Sequence, residues 1–281
     1  MSKTTKKWII IAFSLLLVGS IIFAGVMTML KWDFTKLSTD KYVTNKHIIS
    51  DNFQNISILT DTADIELIAS ENDQCLVVCY EEQNAKHSVI AEDGTLKISL
   101  KDNRKWYEHI GVSFCSPKIT VYIPEREYGE VYVKASTGDI KAENVLAKGL
   151  EILVSTGRIE ASNINCENDI KLSVSTGDTN LSDTKCKSLT SFGSTGDISL
   201  KNVIAKEKLS VKRSTGDIKL KGSDANELFI TTDTGDIKGS LLSNKVFIAN
   251  SDTGSVNVPK TTGGGKCEVI TDTGDIKLEI K

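Results

Sequence analysis

The sequence Ser-Thr-Gly-Asp-Ile recurs along the second half of the chain as STGDI, STGRI, STGDT, STGDI, STGDI, DTGDI, DTGSV and DTGDI. The glycines of these motifs are Gly138, Gly157, Gly177, Gly196, Gly216, Gly235, Gly254 and Gly274, at steps of 19, 20, 19, 20, 19, 19 and 20 residues. A fixed period near 20 marks a repeat architecture. A catalytic motif is needed once, whereas a structural corner is needed at every turn of a coil.

Within one period the pattern is β. Ile140 and Ala142, Ile198 and Leu200, Ile218 and Leu220, and Ile276 and Leu278 follow their glycines at +2 and +4. Leu150 and Ile152, Ile170 and Leu172, Leu209 and Val211, and Leu228 and Ile230 precede the next glycine at −7 and −5. Alternation of period two puts one face of each strand inward. One such unit cannot bury its apolar face alone. Copies stacked about 4.8 Å apart can, with each strand pairing to its equivalent in the next turn. The expected fold is therefore all-β: a parallel, β-helix-like solenoid of 19–20 residues per turn. Nine residues after each glycine stand Ala147, Cys166, Cys186, Ala205, Ala225, Asn244 and Gly263, small or short as a tight inner corner requires. Ser-Thr-Gly-Asp is a turn kit, in which glycine takes backbone angles closed to other residues and the neighbouring side chains bond nearby backbone N–H groups. Residues 183–195 fit worst, because Ser191 and Gly193 fall on inward positions and Phe192 is out of phase. A bulge or soft rung is expected there.

The N-terminus is a separate element. Trp8–Leu30 is an uncharged apolar run of 23 residues, long enough as a helix to cross a hydrocarbon core of about 30 Å. Lys3, Lys6 and Lys7 precede it without an acidic partner, so the positive-inside rule keeps the N-terminus in the cytoplasm. A cleaved signal peptide is the rival reading, disfavoured because Ile22-Phe23-Ala24 is bulky at the position three before the cut. Residues 1–31 hold four lysines and no acid, so the remainder carries 30 basic and 37 acidic residues, a net of −7. That balance argues against nucleic acid as a partner. The expected organisation is a cytoplasmic tail (1–7), a transmembrane anchor (8–30), a stalk (31–50), an irregular β capping section (51–133) and the regular solenoid (134–281).

Ile56–Leu67, "ISILTDTADIEL", follows the repeat template with Ala63 in the glycine slot and reads as a degenerate first rung. Strand-like runs at Cys75–Tyr80, Ser88–Ile90, Leu96–Leu100 and Ile119–Ile123, with a hairpin signal at Asp93-Gly94, complete the cap. The chain ends within a strand at Lys281, an open edge able to pair with another copy. The anchor, "ADIEL", "DGTLKISL", "ITVYIPE" and the STGDI repeats resemble a bacterial family, domain of unknown function 4097, with β-strand repeats and a candidate-adhesin label. The resemblance covers roughly residues 50–281 and implies a β-solenoid outside a bacterial membrane. It implies no specific activity. Arg158, Thr179 and Ser255 depart from the commonest motif letters.

Signals of catalysis are weak. His47, His87 and His109 all precede the repeats with no two at ligand spacing, and no hydrolase, metalloprotease, phosphate-loop or dinucleotide fingerprint appears. No catalytic residue and no cofactor is expected. Calcium is a less favoured alternative at Asp233, Asp236, Asp252, Asp272 and Asp275, whose carboxylates are better read as turn caps. Zinc lacks support because no two cysteines have Cys-x-x-Cys spacing. Cys166 and Cys186 share a slot in successive rungs, within disulfide reach, although alanine in that slot elsewhere favours small core thiols. Trp106, Tyr107 and Tyr122 mark the first place to look for a partner patch. The expected function is a membrane-anchored, extracytoplasmic binding module at the cell envelope, engaging an unidentified envelope protein or polymer in adhesion or stress sensing. A self-assembling scaffold joined through the open solenoid end is the alternative. An enzyme acting on cell-wall polysaccharide is third.

Overall fold

The computed structural model describes residues 2–34, 41–70, 72–102, 104 and 115–281. The chain divides into two compact units, one of residues 1–42 with 104–116 and the other of 43–103 with 117–281.

In the first unit a single helix spans Lys3–Met29. Ser2 caps it by accepting a hydrogen bond from the Thr5 N–H. Ser14 and Thr28 donate their hydroxyls to the Ile10 and Ala24 carbonyls one turn back, so the apolar run hides its own polar groups. Among the described residues this is the one helix long and apolar enough to cross a membrane.

The second unit is the expected parallel coil. Row by row the inward side chains stack in register: Ile140 on Ile159, Thr179 on Ile198, Ile198 on Ile218, Ile218 on Ile237. These rows lie within one continuous buried core of aliphatic side chains. Each fully buried Ile or Leu stabilises by roughly 1.5–3 kcal/mol. The one-residue differences in period are absorbed as register shifts after Cys186 and after Ala205, polar corners where an extra residue does not disturb the core. The bulge expected in 183–195 is therefore present, and Phe192 points out to solvent.

The glycine row has a second cause besides the turn. At Gly177 φ is +133°, and a Cβ there would lie 2.0 Å from the carbonyl oxygen of Gly157 below it. Both the backbone angle and the spacing of the rungs exclude a side chain. Ala63 aligns with this row, since Thr62 pairs with Thr137 and Ile65 with Ile140, which makes Asn55–Ser70 the degenerate rung.

Rungs do not stack in sequence order at either end. The strands Thr95–Asp102 and Lys118–Pro124 form the rung outside Asn55–Ser70, whereas Glu127–Glu143 lies on its other side. The chain must cross a rung at Pro124–Glu127. There Arg126 lies over the rings of Phe53 and Tyr128 and donates to the Phe53 carbonyl. Cys75–Glu82 and Ala85–Glu92 then pair antiparallel on the outer rung, and Asp93-Gly94, both at positive φ, turn the expected hairpin. Tyr42–Ile49 adds to Cys75–Glu82, so part of the expected stalk is a strand.

At the other end the order is again exchanged. Gly265–Thr273 pairs with Asp224–Thr234 on one side and with Lys245–Thr253 on the other. Ile276–Ile280 likewise lies between Ile237–Leu241 and Val256–Asn257. The C-terminal strand is thus inserted between rungs as far as Lys277, and the terminal rung is 245–257. The open edge expected at Lys281 is confined to Leu278–Ile280 among the described residues. Three consecutive glycines, Gly263–Gly265, carry the inserted rung. The corner position falls on Gly264 instead of Gly263, because Lys245 pairs with Gly265 and Gly264 packs on the Asn244 carbonyl. With no side chain at Gly265, Lys245 reaches past the inserted rung and pairs with Asp224 at 2.7 Å, both largely buried.

Candidate functional site

A groove of about 810 Å³ opens beside the inserted C-terminal strand. Its cause is local. The terminal rung contributes only Val256–Asn257 to this flank, paired with Ile276 and Lys277, and Pro259 follows, which has no N–H to continue a ladder. Beyond Lys277 the outer edge of Ile276–Ile280 therefore carries no strand. Val258, Pro259, Leu278 and Ile280 supply apolar walls. Gly239 stands between Leu220 and Leu278 in the stack and adds no side chain.

Charge on the groove is one-sided. Lys219, Lys221, Lys238, Lys277 and Lys281 line it against a single acid, Glu279. Lys219, Lys238 and Lys277 are register partners in successive rungs, so the solenoid arrays them as a row. Lys219 is held by Asp197 and Asp217 at 3.2 and 3.5 Å, Lys238 by Asp236, and Lys281 by Glu279. Among the described residues Lys221 and Lys277 have no ion-pair partner. The sequence signal for this site was present in the repeated lysine three residues after glycine. In the sequence that row does not point to a groove, because the peeling away of the terminal rung is a tertiary event.

The motif aspartates bond backbone N–H groups across rungs. Asp139 N–H donates to Asp64 Oδ1, Arg158 N–H to Asp139, Asp197 N–H to Asp178, Asp217 N–H to Asp197, Asp236 N–H to Asp217, and Asp275 N–H to Asp236. Each carboxylate satisfies the backbone of the next rung. Burial alone raises Asp197, but the Asp217 N–H and Lys219 outweigh it and hold its carboxyl below the ordinary value. The Lys238 ammonium and the Asp275 N–H lower Asp236 in the same way.

The remaining sequence candidates are scattered. Asp233, Asp252 and Asp272 are exposed, and the Oδ1 atoms of Asp236 and Asp275 already accept hydrogen bonds from backbone N–H groups. These five do not gather into a metal-holding cluster among the described residues. Tyr122 is half-buried opposite Leu76, while Trp106, Tyr107 and His109 lie outside the described residues. Cys75, Cys79, Cys166, Cys186 and Cys267 are buried thiols outside any disulfide. Burial pushes Cys166 up to about 11 and Cys186 up to about 12, as expected of core thiols.

Two polar constellations were missed. Arg213 is fully buried and donates to the Val174 carbonyl and to Thr179 Oγ1, both at 2.8 Å. At the cap end Cys79, Glu81 and His87 meet, all buried. His87 comes beside Glu81 because Ala85–Glu92 crosses from the flank of Cys75–Glu82 to the flank of Thr95–Asp102, which local sequence does not signal.

A model of the Toastrack domain of unknown function, DUF4097, matches residues 53–281. The chain belongs to the Toastrack DUF4097 family. The Toastrack domain therefore takes in the cap as well as the regular rungs. Solved structures similar to it include a candidate adhesin of Bacteroides fragilis (15% identity, 85% of this chain and 97% of that one, TM-score 0.42). Another is a candidate lipid-binding protein of Parabacteroides distasonis (15% identity, 86% and 98%, TM-score 0.47). A third is a candidate cell adhesion protein of Clostridium sporogenes (12% identity, 86% and 100%, TM-score 0.33). No curated protein matches this Toastrack chain.

Proposed function

We propose that this chain is a membrane-anchored interaction module of the cell envelope, with its Toastrack domain extracytoplasmic, and that it binds and does not catalyse. The groove beside Ile276–Ile280 is the binding site, and its occupant is an extended acidic segment of an envelope protein. The uncovered strand edge at Leu278–Ile280, lined by five lysines and one acid, carries this reading. A peptide added as a strand gains main-chain hydrogen bonds along the edge, and its acids meet Lys221 and Lys277. The engagement of the aspartate row by backbone N–H groups supports binding over catalysis, since those carboxylates are committed to the coil. The anchor reading rests on the helix Lys3–Met29 and on Lys6 and Lys7 near its start.

The test is cross-linking of the tagged full-length chain in cells, comparing wild type with Lys221→Glu/Lys277→Glu. Loss of a cross-linked partner in the variant, with unchanged expression and thermal midpoint, is the expected result. An unchanged set of partners retires the groove. An N-terminal tag that stays with the membrane fraction, while external protease removes the Toastrack domain, is the expected topology.

Self-association is the second reading. The terminal strand Lys245–Thr253 exposes Val246 (41%) and Ile248 (52%), and among the described residues no further strand covers its outer side. Sedimentation at rising concentration distinguishes the two: a monomer throughout excludes the scaffold.

A further inference from the structure

We propose that Cys79, Glu81 and His87 form a binding site for a divalent transition metal of the Zn²⁺ class, at the capped end of the coil. It is independent of the groove. The ligand atoms of all three lie within 4.8 Å of one another. Cys79 and Glu81 are two apart on Cys75–Glu82 and so share its inward face. His87 comes from Ala85–Glu92, which crosses to the other flank and pairs with Thr95–Asp102. The three are 0%, 1% and 5% exposed.

Three features suit a cation. First, Glu81 is a buried carboxylate with no lysine or arginine paired to it among the described residues. Its partners are the His87 N–H, His87 Nδ1 at 2.8 Å and Asn45 Nδ2 at 2.7 Å. Unless His87 is protonated, this buried carboxylate has no cationic partner, which is costly. Second, Thr60 Oγ1 lies 2.9 Å from His87 Nε2. In the unloaded site Nδ1–H donates to Glu81; with the ring proton on Nε2 instead, accepted by the Thr60 hydroxyl, Nδ1 offers its lone pair towards Glu81 and Cys79, the outer-shell arrangement that orients metal-bound histidines. Third, thiolate, carboxylate and neutral imidazole balance a dication, so the loaded site carries no net charge. Loading takes one proton from the Cys79 thiol and releases it to solvent, while the neutral imidazole shifts its proton from Nδ1 to Nε2, where Thr60 accepts it; the carboxylate and Nδ1 then bind through lone pairs. Tetrahedral coordination leaves a fourth position beyond the three protein ligands. The bound ion would tie the two flanks together at the cap.

Co²⁺ is the probe, added during refolding of the full-length chain in detergent under reducing conditions and read by its thiolate-to-metal charge-transfer absorption. Stoichiometric binding with that band is expected, displaced by Zn²⁺. Cys79→Ser removes the band and Cys267→Ser, a second buried thiol, retains it. Thr60→Val weakens affinity by about 10–100-fold. No band, or a band that survives Cys79→Ser, overturns the site. His87→Gln keeps the cysteine in place, and wild-type affinity in that variant overturns the site even where Cys79→Ser fails to fold.

Discussion

Arg213 occupies an inward slot that Val154 and Val174 fill in earlier rungs. Its guanidinium lies where a Cβ on Gly193 would stand. Thr179, in the isoleucine row, accepts one of its hydrogen bonds. Three residues that look like separate defects of the repeat, Thr179, Ser191 and Gly193, surround this one side chain or the rung it reaches into. The network is only partly satisfied, because Arg213 Nε and Ser191 Oγ have no partner. Arg213→Met is expected to destabilise by about 1–3 kcal/mol for each partner left without a donor. Arg213→Met with Thr179→Val removes the Thr179 acceptor as well and leaves only the Val174 carbonyl without this donor, so it is expected to recover about 1–3 kcal/mol of the single-variant loss. Urea unfolding midpoints around that double-mutant cycle check it; a single Arg213→Met as stable as wild type would show the network contributes nothing. The misfits were legible one by one. Their common cause was not, since Arg213 arrives from 20 residues beyond Gly193.

The rung is a set of ladders, each serving a backbone need. Glycines remove a clash, aspartates accept N–H groups, and a second corner uses the left-handed region at Asn144, Asn163, Asp183, Asn202 and Gly222. Side chains in that corner also stack, with Asn163 donating to Asn144 and Asn202 to Asp183. It lies six residues after each of the first five motif glycines and was readable, because asparagine, aspartate and glycine are the residues that tolerate positive φ. The aspartate ladder sets an acid limit. Asp197, Asp236 and Asp275 are held below the ordinary value of 3.8. Depressed carboxyls stabilise the fold fully above that value, and the contribution is lost as pH falls through the folded-state pKa. The thermal midpoint is therefore expected to be flat above about pH 5 as far as these groups act, and to drop below about pH 4. Asp197→Asn keeps an oxygen acceptor without the titration, so its midpoint is expected to fall less steeply on acidification. An identical slope in the two proteins would assign the acid transition elsewhere.

Across the whole molecule, both ends of the coil exchange the order of two rungs. The exchange inserts the C-terminal strand between rungs as far as Lys277 and leaves 245–257 outermost. Hydrogen exchange is expected to protect Cys267–Leu278 more than Phe247–Asn257, against the usual fraying of a chain terminus. Greater protection of 247–257 would mean that the rungs stack in sequence order. Period, inward rows and turn chemistry could all be read from the residues alone, because in a solenoid they repeat with the coil and depend only on local spacing. The hairpin at Asp93-Gly94 and the degenerate rung at Ala63 were legible for the same reason. Rung order, the strand edge beside Ile280, and the meeting of Cys79 with His87 belong to the folded chain. Equivalent rungs offer nearly the same edge to one another, so local pattern does not say which neighbour a terminal rung takes. Contacts spanning many residues, such as Lys245 with Asp224 across an inserted strand, decide it.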